Sequence, residues 1–499
     1  NKMTMPLTTT TEIIAVGLAL PFFALSSEAF QSSFSITDPY PTKWKRKTLK
    51  SLQASPEQNE ECQLGAWIPV GSASSLKGLS PTNIVIMNEN FVVWNNHDQW
   101  SVMVDVCPHR LAPLSQGRIN EKTGCVECGY HGWQFRNDGS VSVIPQLEPD
   151  KDISKFDAAS VTSYPVHLTG DLIWAFLPTA IHGESFPKDI LPEDYYPGIK
   201  MDMERKAAYY VHEMPSSMHM LIENGIDPAH FAFAHCGVIA KREDAAPIPD
   251  MKVEIFNFTN LDVYSTYKRN GEFRERQYCF QRPCLLYTKE RSRDEKNIPF
   301  WTPGSLFFVV PIREGRCRVI TSVAKLTKTY VPDWITHLAT RRLFQGDYFV
   351  HEAELNLRSQ KRLSYVQPTT SDIGTRAWNK WMKTFGFYNA PHHTFGIAST
   401  ENLIPLTLQE RIDPWRVHTK TCSKCRKVLA RAKKTQLWSL IVGIFVASLL
   451  QEKKRSILAG LTICAGIILS QLAKKVSMLL EGSNNPSDVP DRDYSMTVK

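Results

Sequence analysis

Outside one short segment this sequence has no excess of either charge. The chain of 499 residues carries 58 Lys and Arg against 50 Asp and Glu, a net +8. Between Arg411 and Lys434 nine basic residues meet one acid, Asp413, so that segment alone holds the whole excess. A neutral body without a nucleic-acid reading motif excludes nucleic acid as a partner, because such proteins gather their charge on a folded reading domain. A disulfide framework is lacking too. The 11 cysteines are odd in number and scattered, with close pairs at Cys125/Cys128 and Cys422/Cys425, a pattern of reduced thiols used for metal or redox chemistry. Long apolar runs are few, which excludes a polytopic membrane body. The 42% hydrophobic and 22% charged composition is that of a globular chain with room for about three domains.

The apolar runs that do occur lie at the ends. Ile13 to Leu25 suits the apolar region of a signal peptide, with Ser27 and Ala29 placed for a cut before Phe30. A basic, hydroxyl-rich stretch with Lys43, Lys45, Arg46, Lys47 and Lys50 follows. Together these resemble the two-part presequence of algae with secondary plastids, so residues 1–55 are expected to be a targeting segment; an N-terminal membrane anchor is the alternative. Near the other end, Leu437 to Leu450 is short and Ser456 to Ala473 is about long enough to cross a bilayer once. A C-terminal membrane-anchor hairpin over 436–475 is expected, behind a basic segment at 416–434. An interfacial first helix or a soluble hairpin are the alternatives. Residues 481–499 read as a disordered tail.

Two loops carry the first chemistry. Cys107-Pro-His109-Arg110 is followed, after 18 intervening residues, by Cys128-Gly-Tyr-His131-Gly-Trp133. Two thiolates and two imidazoles are what a Rieske [2Fe-2S] cluster needs, two Cys on one iron and two His on the other. A zinc site built from the same residues or from Cys125 is the rival, but the residues around the ligands are more specific than spacing alone. Flanking strands, with Ile84–Met87 and Phe91–Trp94 expected as a hairpin about Asn88-Glu-Asn, place both loops on a small β-domain over about 60–180. Neither loop has the additional Cys of respiratory-chain subunits, in which a disulfide spans the cluster.

The second signal is Asn224-Gly-Ile-Asp227-Pro-Ala-His230-Phe-Ala-Phe-Ala-His235. Two His five apart on an irregular helix can bind one metal facially, and two His with one carboxylate leave open positions at Fe(II). Asp227, one turn before His230, is placed to hydrogen-bond a ligand imidazole. The carboxylate must come from far along the chain. Asp347 is the best candidate, Glu352 a supporting residue, and His351, Glu352 and Glu354 its competitors.

With both motifs in place the chain resembles the non-haem Rieske oxygenases, and within them the plastid group of pheophorbide a oxygenase, chlorophyllide a oxygenase and the translocon-associated Rieske protein. The likeness runs from about Trp67 to Lys475 and is carried by Cys-Pro-His-Arg-Leu-Ala-Pro-Leu-Ser at Cys107–Ser115, Asn-x-x-Asp-Pro-Ala-His at Asn224–His230, and Cys422-Ser-Lys-Cys425 before the apolar segments. Gly346 and Cys125 are small departures that remove no ligand. The resemblance implies an α+β fold: the all-β Rieske domain, then a catalytic domain over 181–415 with a twisted antiparallel sheet covered by helices. It implies a [2Fe-2S] cluster on Cys107, His109, Cys128 and His131, and mononuclear Fe(II) on His230, His235 and Asp347. It also implies a homotrimer in which ferredoxin reduces the cluster and Asp227 bridges His131 of one subunit to His230 of the next, with Asn224 beside it. O2 would then hydroxylate or oxygenolytically open a chlorophyll-derived tetrapyrrole such as pheophorbide or a chlorophyllide, at a thylakoid or inner-envelope membrane in contact with lipid. Cys422 and Cys425 would be a thioredoxin target. As an exposed pair among cations their thiol pKa should be lowered; half of a zinc site shared between two chains is the other reading. A redox-sensing membrane component without oxygenase activity is the competing function.

Overall fold

The computed structural model describes residues 65–482 except 79–80, 97–98, 179–188, 197, 201–207, 294–298, 324–330, 360–364, 386–405 and 450–455. The expected targeting segment and nearly all of the expected tail lie outside the described residues. Three small antiparallel sheets come first. β1 (Gly65–Ser72), β10 (Val166–Thr169) and β11 (Leu172–Pro178) form one in the order β1-β11-β10. β2 (Thr82–Ile86), β3 (Glu89–Asn96), β4 (Gln99–Val104) and β9 (Ser163–Tyr164) form the second in sequence order. The third, carrying the Cys/His loops, consists of β5 (Arg118–Ile119), β6 (Val126–Glu127), β7 (Gln134–Phe135) and β8 (Val141–Val143).

The β2–β3 hairpin turns one residue earlier than expected. Met87 and Asn88 both adopt positive φ, at 50° and 69°, the two-residue turn whose twist matches the strands. Their backbone N–H groups donate to Pro311 and Ile312 carbonyls, pinning the hairpin to the next sheet.

That sheet has seven antiparallel strands. β12 (Ala208–Met214), β13 (Met251–Phe256), β14 (Asn260–Arg269), β15 (Glu272–Gln281), β16 (Leu285–Arg293), β17 (Pro299–Arg313) and β18 (Arg316–Val323) lie in the order β12-β18-β17-β16-β15-β14-β13. From β13 to β18 it is a meander, closed on one side by β12, which reaches β18 from far back in the chain. Helices α1 (Met218–Ile226), α2 (Asp333–Gln345), α3 (Phe349–Ser359) and α4 (Ile373–Phe385) cover it. α4 docks by two stacked indoles. Trp378 and Trp381 are fully buried against Phe280, and each spends its N–H on a carbonyl, of His219 and Asn257. The expected α+β architecture is therefore observed.

Two cores result. A large one runs unbroken from β1, β2 and β11 into the seven-stranded sheet, and a smaller one of Val92, Trp94, Met103, Leu114, Val126 and Phe135 lies under the Cys/His loops. The loop-bearing sheet thus has its own packing, while the rest of the β-domain shares a core with the sheet that follows.

At the C-terminus, α5 (Ser423–Leu449) and α6 (Ser456–Glu481) pair as a hairpin. The basic segment expected at 416–434 is not separate, because most of it forms the first half of α5. The two helices meet at Gly443 and Gly466, where a Cβ on Gly466 would come within 2.7 Å of the Ser439 carbonyl. Lys433 and Glu481 pair at the base of the hairpin at 2.7 Å. By length and composition one segment, Ile457–Glu481, suffices to cross a bilayer among the described residues, and its apolar side chains mostly point outward.

Candidate functional site

The two Cys/His loops are built alike. In the first, Cys107 N–H donates to the Ala112 carbonyl at 2.8 Å and Leu111 N–H returns to the Cys107 carbonyl at 2.8 Å. In the second, Cys128 N–H donates to Trp133 at 2.8 Å and Gly132 N–H returns to Cys128 at 3.0 Å. The fourth residue after each Cys has positive φ, 58° at Leu111 and 76° at Gly132. Glycine meets that need at little cost; an exposed leucine meets it under strain. Asp105, which no sequence signal marked, anchors the first loop: it accepts from Ser115 N–H at 2.7 Å, from Ser115 Oγ at 2.5 Å and from Asn83 at 2.8 Å.

These loops bring Cys107, Cys128, His109 and His131 together. Both sulfurs are buried, and the two imidazoles lie edge to face with centroids 4.5 Å apart. His109 stacks on Trp133 at 4.6 Å, which fixes its ring plane. Burial, with the neighbouring Cys128 thiol adding to it, pushes the Cys107 thiol up to about 11. A buried thiol of this kind is costly to deprotonate without a cationic partner and suited to iron. Cys125 is buried and its thiol donates to the Thr123 carbonyl.

The second constellation assembles at the end of α1. Ser217 caps α1 through Met220 N–H, and Asp227 closes it. His230 and His235 do not lie along one helix as expected. They flank the single helical turn Phe231–Ala234, so both rings turn to the same side. His230 Nε2 and His235 Nε2 are 3.2 Å apart; Asp347 Oδ1 is 3.3 Å from the second and 3.8 Å from the first. Metal bonds of about 2.1 Å at right angles separate neighbouring donors by about 3 Å, so the three fit one octahedral face. Both Nδ1 atoms are buried and, among the described residues, neither has a hydrogen-bond partner. Burial pulls His230 down to about 4 against the pull of Asp347, leaving a neutral imidazole with a free lone pair. The set fits a mononuclear iron, and the described residues contain it complete.

Asn224 and Gly346 shape this site. Asn224 Nδ2 donates to Asp347 Oδ1 at 3.0 Å and aims the carboxylate at the histidines. Gly346 lets α2 end against them: a Cβ there would come within 2.5 Å of both the Ala234 carbonyl and His235 Nδ1. What the sequence marked as a departure is thus a steric requirement. Asp227 Oδ2 lies 3.8 Å from His230 Nδ1 while Oδ1 accepts from Ala229 N–H, and burial pushes its carboxyl up to about 6.

The competitors for Asp347 are engaged elsewhere. Glu352 pairs with Arg411 at 2.6 Å rather than supporting Asp347, Glu354 accepts from Ser217 N–H at 2.8 Å, and His351 bonds the Pro215 carbonyl at 2.5 Å. Asp347 lies in the break between α2 and α3; the others ride on α3, where His351 and Glu354 hold it against the chain between β12 and α1 and Glu352 ties it to Arg411. A narrow cleft lined by His212, Met214, Phe344, Asp347, Tyr348 and Arg411 opens beside the carboxylate.

Cys422 and Cys425 differ from expectation. They are not an exposed pair; both are buried, with His337 and His418 beside them. The cations of α5 point outward because its inner face, which carries Leu429, packs on Trp334, Leu338 and Leu480.

A two-loop Cys/His pair on its own small sheet, feeding a second domain with a two-histidine, one-carboxylate face, defines a Rieske-type oxygenase, an oxidoreductase. Comparison with known families agrees: residues 66–165 match the Rieske [2Fe-2S] domain and residues 280–363 match pheophorbide a oxygenase, so the chain combines the Rieske and pheophorbide a oxygenase domains and is similar to the oxygenases of that group. It is 27% identical over 401 residues to a chloroplastic pheophorbide a oxygenase of Oryza sativa subsp. japonica, covering 72% of each chain. It is 28% identical to flavonoid 8-hydroxylase 2 of Ocimum basilicum, covering 77% of this chain and 76% of that one. Among solved structures it is similar to dicamba monooxygenase, with a TM-score of 0.48, 15% identity, and coverage of 65% of this chain and 98% of that one.

Proposed function

We propose that the protein is a ferredoxin-dependent plastid oxygenase that uses O2 to hydroxylate or oxygenolytically open a chlorophyll-derived tetrapyrrole, pheophorbide or a chlorophyllide. The observation that carries this reading is the complete His230, His235, Asp347 face with Asn224 on its carboxylate, in the same chain as the Cys/His loops. An intact iron site speaks against a purely redox-sensing component. The tetrapyrrole is favoured by the match to pheophorbide a oxygenase over 280–363, which includes strands β16 to β18 and the helix leading to Asp347. Plastid residence rests on the chloroplastic relatives, and attachment to a thylakoid or inner-envelope membrane on the apolar C-terminal helix.

In this reading Cys107 and Cys128 hold one iron of the cluster and His109 and His131 the other. His230, His235 and Asp347 would hold Fe(II), which would supply the chemistry of O2 reduction. The chain's own residues do the rest. Burial keeps His230 neutral, and Asn224 holds the Asp347 oxygen toward the imidazoles. Asp227, half-buried and with a raised pKa, holds or yields a proton beside His230 Nδ1. In a homotrimer it would link the partner subunit's His131 to His230, one route for an electron arriving from ferredoxin.

The test is to reduce the iron-loaded full-length protein and incubate it under labelled O2 with pheophorbide a, chlorophyllide a, protochlorophyllide a and, because of the flavonoid hydroxylase likeness, a flavone. Label in a tetrapyrrole product is the expected result. Label in the flavone alone would overturn the substrate, and label in nothing would overturn the oxygenase reading.

A further inference from the structure

We infer that His337, His418, Cys422 and Cys425 form a structural zinc site that joins the C-terminal helical hairpin to the catalytic domain. The four come from three places: His337 from α2, His418 from the turn before α5, and the two cysteines from the start of α5. All are buried, at 1% exposure for Cys422, 0% for Cys425, 2% for His337 and 3% for His418.

Their donor atoms converge. His418 Nε2 is 3.1 Å from His337 Nδ1 and 3.3 Å from Cys425 Sγ; His337 Nδ1 is 3.4 Å from Cys425 Sγ and 3.7 Å from Cys422 Sγ. A tetrahedron with zinc–sulfur bonds of about 2.3 Å and zinc–nitrogen bonds of about 2.0–2.1 Å has edges of roughly 3.3 Å between nitrogens and roughly 3.5 Å from nitrogen to sulfur. These four edges fall around those lengths and all the donor atoms lie within 4.8 Å of one another, so one ion fits at the centre. Two sulfurs and two nitrogens in tetrahedral array are a zinc-type set.

The surroundings agree. His418 Nδ1 donates to the Val211 carbonyl on β12 at 2.7 Å, which places the proton on Nδ1 and turns the Nε2 lone pair inward. Ser75 Oγ approaches Cys422 Sγ at 3.7 Å, and Ser423 Oγ donates to the Ser74 carbonyl at 2.9 Å, so the Rieske domain also meets the site. Trp334, Leu338, Leu429, Val476 and Leu480 enclose it. A divalent ion displaces both thiol protons to solvent and leaves a neutral centre, with no change in oxidation state. The site is intramolecular, not half of one shared between chains, and its cysteines are ligands closed to thioredoxin.

The experiment uses full-length holoprotein. Metal analysis should find one zinc per chain besides the iron, and X-ray absorption at the zinc edge should show two sulfur and two nitrogen neighbours. Cys422 and Cys425 should resist alkylation until a chelator removes the zinc. H418A and C422S/C425S should lose the zinc and keep the Rieske absorption and electron-spin signals. Where a variant fails to fold, the absorption spectrum of the unaltered protein still reads the donors. No stoichiometric zinc, iron in its place, a Cys422–Cys425 disulfide in the isolated protein, or zinc retained in full by C422S/C425S would each overturn the proposal.

Discussion

The two iron-binding regions are built on opposite plans. The Cys/His loops repeat one backbone pattern at Cys107 and at Cys128 and sit over a core of their own, so most of what shapes them lies in the loops and the small sheet that carries them. The triad borrows. His230 and His235 flank one helical turn, while Asp347 arrives at the end of a distant helix and depends on Asn224 and on the missing Cβ of Gly346. A locally specified site tolerates change elsewhere in the fold; an assembled one fails with any of its supports.

The largest expected effect is at the triad itself. His230→Ala should abolish turnover and empty the mononuclear site, yet leave the Rieske absorption and electron-spin signals unchanged; surviving turnover would place the iron elsewhere. Gly346→Ala comes next. Its methyl group must displace the Ala234 carbonyl or His235, an overpacking that costs about 1–3 kcal/mol. Mononuclear iron content and activity should fall together while the Rieske spectrum stays; normal iron content would show that α2 can shift freely.

Asn224→Ala tests a lighter support. Losing the hydrogen bond to Asp347 should weaken iron binding by about 10–100-fold, as removal of such outer partners commonly does, read as iron retained after graded chelation. The smallest effect concerns the loops. Leu111→Gly relieves a left-handed leucine and should raise thermal stability slightly, whereas Gly132→Ala, at φ 76°, should cost about 1–2 kcal/mol. Equal effects at the two positions would break the likeness between the loops.

Much of the site was legible along the chain. Cys107, His109, Cys128 and His131 lie in short loops whose geometry follows from neighbours in sequence, and His230 and His235 were marked by their spacing together with the Cys/His loops elsewhere in the chain. The turn at Met87–Asn88, the break in the helix around His230 and the end of α2 at Gly346 were less so, because hydrogen bonds to Pro311 and Ile312 and contact with His235 decide them. His337 and His418 went unmarked. A histidine four residues before Cys422 was a faint signal, but nothing local to His337 distinguishes it from an ordinary core histidine.

The exposure of Cys422 and Cys425 is the clearest reversal. Their basic neighbours suggested a surface, since composition averages over all faces of a segment; helix formation then sorts the faces, sending cations outward and sulfurs inward. By itself the sequence determined the chemistry available: two thiolates and two imidazoles in matched loops, two histidines one turn apart, a neutral body and a basic, dithiol-bearing segment. Only the tertiary structure decided which distant carboxylate meets the histidines and which side chains surround the dithiol. Those meetings depend on β12 closing the sheet, on α2 packing between the triad and the hairpin, and on space left by a single glycine, none of which is encoded in any one stretch of chain.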